Sequence, residues 1–123
     1  MKEKLLGKVY ISGETVIRQG EAGNCMYVIQ EGRVEVFVET LDRQIPVCTL
    51  GEREFFGEMA IFDRQPRSAT VRAVGKARVL TLDRRAFMTR VHQDPSLAFN
   101  ILQKMSLRIR ALDAEVERLT QSG

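Results

Sequence analysis

Apolar positions along this chain follow two rhythms, and the change between them divides it. Over the first two-thirds the rhythm is that of strands. Segments 9–11, 15–18, 26–29, 33–39, 45–50, 69–72 and 77–82 are rich in β-branched residues and tend to alternate. Val34, Val36 and Val38 fall on one face of their segment, with Glu35 and Glu39 on the other. Ser12-Gly13, Gln19-Gly20 and Glu31-Gly32 read as the turns between segments. Many short strands at this spacing predict a roll, sandwich or small barrel.

After Leu82 the period becomes helical. Asp83 can cap a short helix over 84–91, and Asp94-Pro95 is a second start signal, with Asp at the N-cap and Pro at the first helical position. From Ser96 to Thr120 there is no Gly or Pro, which predicts one helix of about 36 Å. Leu102, Met105, Ile109, Leu112, Val116 and Leu119 recur at spacings of three and four, the seam of a two-stranded coil, and Ala98 extends it backwards. Arg108, Arg110, Asp113, Glu115 and Arg118 flank the seam, while Leu97, Phe99, Ile101 and Leu107 are available to pack against the strands. A parallel homodimer through this helix is the expectation. The fold class is mainly β with C-terminal helices.

Composition narrows the function. The 123 residues, 44% hydrophobic and 28% charged, suit one globular domain with a single core. The net charge of +3 is scattered among Asp and Glu, unlike the concentrated basic surface of a nucleic-acid reader. No apolar run spans a membrane and the N-terminus lacks a secretory signal, so a cytoplasmic protein is expected. Cys25 and Cys48 lie in apolar segments without C-x-x-C spacing and are expected to be buried free thiols. His92 is the single histidine and reads as a surface residue. One histidine cannot supply the ligand cluster of a metal-dependent barrel enzyme, and no G-x-S-x-G, H-E-x-x-H or Walker A motif is present. Neither an enzyme nor a metal or cofactor is expected.

Chemistry concentrates between Leu50 and Thr70, where the strand pattern breaks. Gly57 permits close backbone approach, and Gly57-Glu58-Met59-Ala60 opens what reads as one helical turn, whose free N–H groups favour an anion. After a loop over 63–66, Arg67 returns with a fork that can hold two phosphate oxygens. Glu58 would repel phosphate, but suits a ligand that also offers a hydroxyl donor, as a ribose does. An anion, a hydroxyl and an apolar wall together describe a nucleotide with its phosphate folded against its sugar.

Phe56-Gly57-Glu58-Met59-Ala60-Ile61 and Pro66-Arg67-Ser68-Ala69-Thr70-Val71 resemble the phosphate-binding cassette of cyclic nucleotide-binding domains, which occur in catabolite activator proteins, protein kinase A regulatory subunits and cyclic nucleotide-gated channels. Residues 13–20 and 27–34 are similar to the family's opening strands, and 77–84 to its closing strand, so the resemblance covers nearly the whole chain. It implies a jelly-roll-like β-roll, a double-stranded β-helix, over 8–82, a short helix over 84–91 and a long lid or dimerisation helix over 95–120, all one domain over 1–123. It also implies that Arg67 pairs with the cyclic phosphate and Glu58 accepts from the ribose 2′-hydroxyl. Backbone groups of Gly57, Met59 and Ala60 line the phosphate and sugar, and Ser68 adds a hydroxyl or N–H. Val36, Val47 and Met59 are candidates for the apolar wall near the base. Thr70 is assigned no contact.

Leu112-Asp113 align with a Thr-Ser pair that contacts the base in the catabolite activator. Arg108 or Arg110 could stack on the base instead. Ser68 lies between the alanine common in cAMP sites and the threonine common in cGMP sites, and tilts the expectation to cAMP. The function expected is a sensor that repositions its C-terminal helix. Two alternatives stand beside it: an effector-domain fragment of a transcription regulator, since no helix-turn-helix DNA-binding domain follows the long helix, and a dimerisation module with a vestigial site.

Overall fold

The computed structural model describes residues 7–63 and 66–121, and these group into two compact units, Met1–Arg85 and Ala86–Gly123. The first unit holds the strands β1 (Lys8–Tyr10), β2 (Thr15–Ile17), β3 (Cys25–Glu39), β4 (Gln44–Leu50), β5 (Phe55–Phe56) and β6 (Thr70–Asp83), with the one-turn helix α1 (Met59–Phe62) between the last two. Among the described residues they form one antiparallel sheet of order β1-β6-β3-β4, with β2 also pairing β6 and β5 also pairing β3. Arg64 and Gln65 of the expected loop lie outside the described residues.

Two long strands replace four short ones. Glu31-Gly32 is not a turn but an irregularity inside β3, where the register with β6 shifts on either side of Glu31. Gly32 takes φ +82 there, and Gly75 takes φ +71 in the facing part of β6. Glycine signals a positive φ in the sequence, but a bulge and a reversal use that freedom equally well. The two backbones also touch: a Cβ on Gly32 would sit 2.3 Å from the Lys76 carbonyl oxygen.

Ile29, Val34, Val71, Ala73, Ala77 and Val79 are buried between these strands, with Tyr10, Leu50 and Phe56 closing the cluster. The expected face of β3 holds only at its start. Val34 is fully buried, but Val36 and Val38 are half-buried and Phe37 takes the inner position. The register with β4 shifts at this point: Val36 faces Cys48 and Phe37 faces Pro46, leaving Val47 as an unpaired bulge. Arg72 covers the Phe37 ring at 4.3 Å and reaches Glu35 at 2.6 Å. The two cysteines are free, but the expectation that both are buried fails. Cys25 is half-buried and Cys48 is exposed, because β4 borders the sheet with nearly all its residues open to solvent.

Helix α2 (Arg84–Gln93) begins at the end of the first unit, and α3 (Ser96–Gln121) lies in the second. Asp94 starts α3 as expected, accepting hydrogen bonds from the Ser96 hydroxyl at 2.6 Å and the Ser96 N–H at 3.1 Å. Those two bonds lower its carboxyl pKa. Leu102, Ile109, Leu112, Val116 and Leu119 are exposed and Met105 is half-buried. Of the set expected to face the strands, Ile101 is buried and Leu97 half-buried, but Phe99 and Leu107 are exposed. Residues two apart on a helix diverge by about 200°, so 97, 99 and 101 cannot share one face. His92 is exposed, as expected. Among the described residues no helix is long and apolar enough to cross a membrane.

Gly32→Ala is expected to destabilise the protein by about 2 kcal/mol or more, because strain at positive φ adds to a backbone clash. Gly20 shares the positive φ but has open space around it, so Gly20→Ala is expected to cost about 1 kcal/mol. Urea unfolding of the two variants measures the difference.

Candidate functional site

The site begins at a kink. Strand β5 pairs with β3 at Tyr27 and Val28, and the chain then turns at Gly57, φ +76, into α1. That turn is closed by main-chain bonds from Ala60 to Gly57 at 3.2 Å and from Ile61 to Glu58 at 3.1 Å. Glu58 stands at its N-cap and is only 3% exposed. Ala60 is buried and Met59 is exposed.

Arg67 enters from the other side, with its main chain fixed first. Its N–H donates to the Glu21 carbonyl and its own carbonyl accepts from the Gly20 N–H, both at 2.8 Å. The guanidinium then runs inward, donating to the carbonyls of Cys25 at 2.9 Å and Gly57 at 3.2 Å, with the Cys25 sulfur at 3.8 Å. It lies 5.7 Å from the centre of the Tyr27 ring, which stacks on Phe56 at 5.1 Å. Glycines make the space: a Cβ on Gly23 would fall 2.3 Å from the guanidinium, and one on Gly57 would fall 2.9 Å from it. Arg67 is thus a cation only 8% exposed whose acceptors are two carbonyls and a thiol, all neutral. A buried guanidinium hydrogen-bonded to neutral groups still has capacity to attract an anion.

Gly57, Glu58, Met59, Ala60 and Arg67 therefore come together as one constellation, with exposed Ser68 next to Arg67. Thr70 points elsewhere and is buried. Its hydroxyl accepts the Gln19 N–H at 2.9 Å and donates to the Glu39 carboxylate at 3.2 Å. Val36 is half-buried in β3, and Val47 is exposed at the β4 bulge. Arg108 and Arg110 are exposed on α3, in the second unit.

Sequence reasoning missed Gly23, Cys25 and Tyr27 as the walls of the arginine site. The only signal was the clustering of Gly20, Ala22 and Gly23. It also missed Arg84, which donates to the Ile61 carbonyl through Nε at 3.3 Å and an Nη at 3.0 Å. A cavity of about 190 Å³ lies beside that contact, lined by Asn24, Ala60, Ile61, Asp83, Arg84 and Arg85. Among the described residues no group of His, Cys, Asp and Glu is arranged to hold a metal ion.

This kinked, arginine-centred cassette on an antiparallel roll has counterparts. The model of the cyclic nucleotide-binding domain matches residues 8–94, and the chain belongs to that family. Its fold is the family's jelly-roll-like β-roll with C-terminal helices. It is 38% identical to the cAMP-dependent protein kinase type II regulatory subunit of Drosophila melanogaster, over 71% of this chain and 23% of that one. It is 41% identical to the human cGMP-dependent protein kinase 2, over 71% of this chain and 11% of that one. The crystal structure of the Thermus thermophilus catabolite activator protein superposes with a TM-score of 0.81 at 30% identity, over 92% of this chain and 54% of that one. The chain thus spans between about a tenth and about half of these relatives' lengths.

Both tyrosines are held protonated. Burial raises the Tyr27 phenol above its ordinary 10.0, and the hydrogen bond from the Cys25 thiol raises it further. Burial also raises Tyr10, followed by the Glu14 carboxylate. Folded values above the unfolded value give stability that is complete below pH 10.0 and lost as pH rises beyond it. Absorbance titration is expected to show less tyrosine ionisation in the folded protein than in the unfolded chain at pH 10.0. Tyr27→Phe is expected to make the alkaline loss of stability shallower.

Proposed function

We propose that this chain is a cyclic nucleotide sensor with Arg67 as the phosphate ligand and Glu58 as the acceptor of the ribose 2′-hydroxyl. The observation that carries the reading is the buried Arg67 guanidinium, whose acceptors among the described residues are neutral, with Glu58 buried at the same Gly57 kink. A cyclic phosphate would bring negative charge to the guanidinium through two charge-assisted hydrogen bonds. Main-chain groups of Gly57, Met59 and Ala60, and the exposed Ser68, complete the phosphate and sugar contacts. Val36, Val47 and Met59 offer apolar surface to the base, and Arg108 or Arg110 a stacking cation. The preferred ligand is cAMP, with cGMP next, and relatives named for each nucleotide support keeping both.

The roll and the two helices act as one regulatory, non-catalytic domain in the cytoplasm. Ligand binding repositions α3, which requires a difference in affinity between two arrangements of the helix. The exposed stripe from Leu102 to Leu119 supports a homodimer through α3.

Calorimetric titration with cAMP and cGMP tests the site. The wild type is expected to bind at least one of them. Arg67→Ala is expected to weaken binding about a hundredfold or more, the loss of two charge-assisted bonds, and Glu58→Gln about tenfold. No heat and no thermal stabilisation at millimolar ligand would instead mean a vestigial site. For the dimer, sedimentation is expected to give twice the monomer mass, and Leu112→Glu to return the monomer. A wild-type monomer at high concentration, with and without nucleotide, removes the dimer.

A further inference from the structure

Arg67 is held by its main chain at a β-turn, and that turn is itself held by the Gln19 side chain and the Thr70 hydroxyl. Residues Arg18, Gln19, Gly20 and Glu21 close the turn through the Glu21 N–H to the Arg18 carbonyl at 3.2 Å, with Gly20 at φ +89. The far edge of this turn, the Gly20 N–H and Glu21 carbonyl, makes the two 2.8 Å bonds to Arg67. Gln19 anchors the near edge. Its side-chain oxygen accepts the Glu39 N–H at 2.7 Å and its side-chain nitrogen donates to the Glu39 carbonyl at 3.1 Å. The amide thereby pairs with the end of β3 as a neighbouring strand would. Its own N–H goes to the Thr70 hydroxyl, which also reaches the Glu39 carboxylate. The result is a closed ring of Gln19, Glu39 and Thr70 that fixes the turn to β3 and β6 at once.

We propose that Gln19 is a positioning residue for the nucleotide phosphate: through this ring it fixes the 18–21 turn, and through the turn it sets where Arg67 enters the site. The proposal rests on the reading of Arg67 as the phosphate ligand. The geometry separates the role from general stability. Glu39 is exposed, so water replaces the lost partners when Gln19 is shortened and the fold survives. What is lost is the restraint on the turn, and a ligand arginine displaced by a fraction of an ångström makes poorer bonds to phosphate.

The test uses the full chain, with cAMP and cGMP as probes in calorimetry and amide hydrogen exchange followed residue by residue by NMR. Gln19→Ala is expected to lower affinity about tenfold. It is also expected to speed exchange at the Arg67 and Gly20 amides while leaving the Ile29 amide in the core unchanged. Thr70→Val, which keeps the side-chain shape and removes the hydroxyl, is expected to do the same and serves if Gln19→Ala does not fold. Unchanged affinity in a wild type that binds overturns the proposal. So does an affinity loss with no change at the Arg67 amide, which would show Gln19 acting by another route. A wild type that binds neither probe defeats the reading of the site instead, and unaltered exchange at Arg67 would still refute the positioning.

Discussion

Much of the first unit's local geometry follows from burying the Arg67 guanidinium. A guanidinium is planar, carries five donors and keeps its charge under all folding conditions. Sealing it from water requires acceptors in its plane and nothing bulky against its faces. Two carbonyls supply the first requirement. One comes from the start of β3 and the other from the Gly57 kink, so the strand and the cassette are joined through the arginine. Gly23 and Gly57 supply the second, with the Tyr27 ring nearby and Phe56 stacked on it. Those two acceptors carry no negative charge, and that is what the proposed phosphate would add.

The second requirement of such a site is that α1 stay short. Four residues are too few to propagate a helix on their own, and Asp63, in an extended conformation, stops this one. Support comes from outside, through the paired bonds of Arg84 to the Ile61 carbonyl. A single turn braced at its far end can present Glu58 and the Gly57 backbone on a fixed platform without a larger helix. Arg84 is also the first residue of α2, so the brace of the cassette lies at the start of the helical part.

The cassette was legible in the sequence because its chemistry sits in two short segments of unlike residue types. Glycine, a carboxylate and a returning arginine around a break in the strand pattern mark where the chain kinks at Gly57 and where Arg67 comes back to it. The long helix was legible for a different reason: Asp94-Pro95 and the run free of Gly and Pro signal it locally. The roll was legible in kind but not in connection. At Gly32 and Gly75 glycine announced unusual dihedrals, and only the facing strand decides that the chain bends and does not reverse. Gly23 was invisible because its role is an absence of atoms beside a side chain far along the sequence. Cys48 was misplaced because an apolar run on a border strand looks like one in a core. The base contacts stayed open because Leu112-Asp113 stands where the resemblance leads one to expect a polar Thr-Ser pair.

The bulge at Val47 has a consequence for the protein's life among other proteins. Among the described residues strand β4 pairs with β3 on one side only, and it exposes Ile45 and Val47 beside the fully exposed Leu41. A flat strand of that composition would offer a template on which a second chain could add itself. Pro46 has no N–H to give, and the extra residue at Val47 twists the border out of register for any straight partner. The same irregularity that spoils the inward alternation of the neighbouring strand therefore guards the roll against runaway sheet growth.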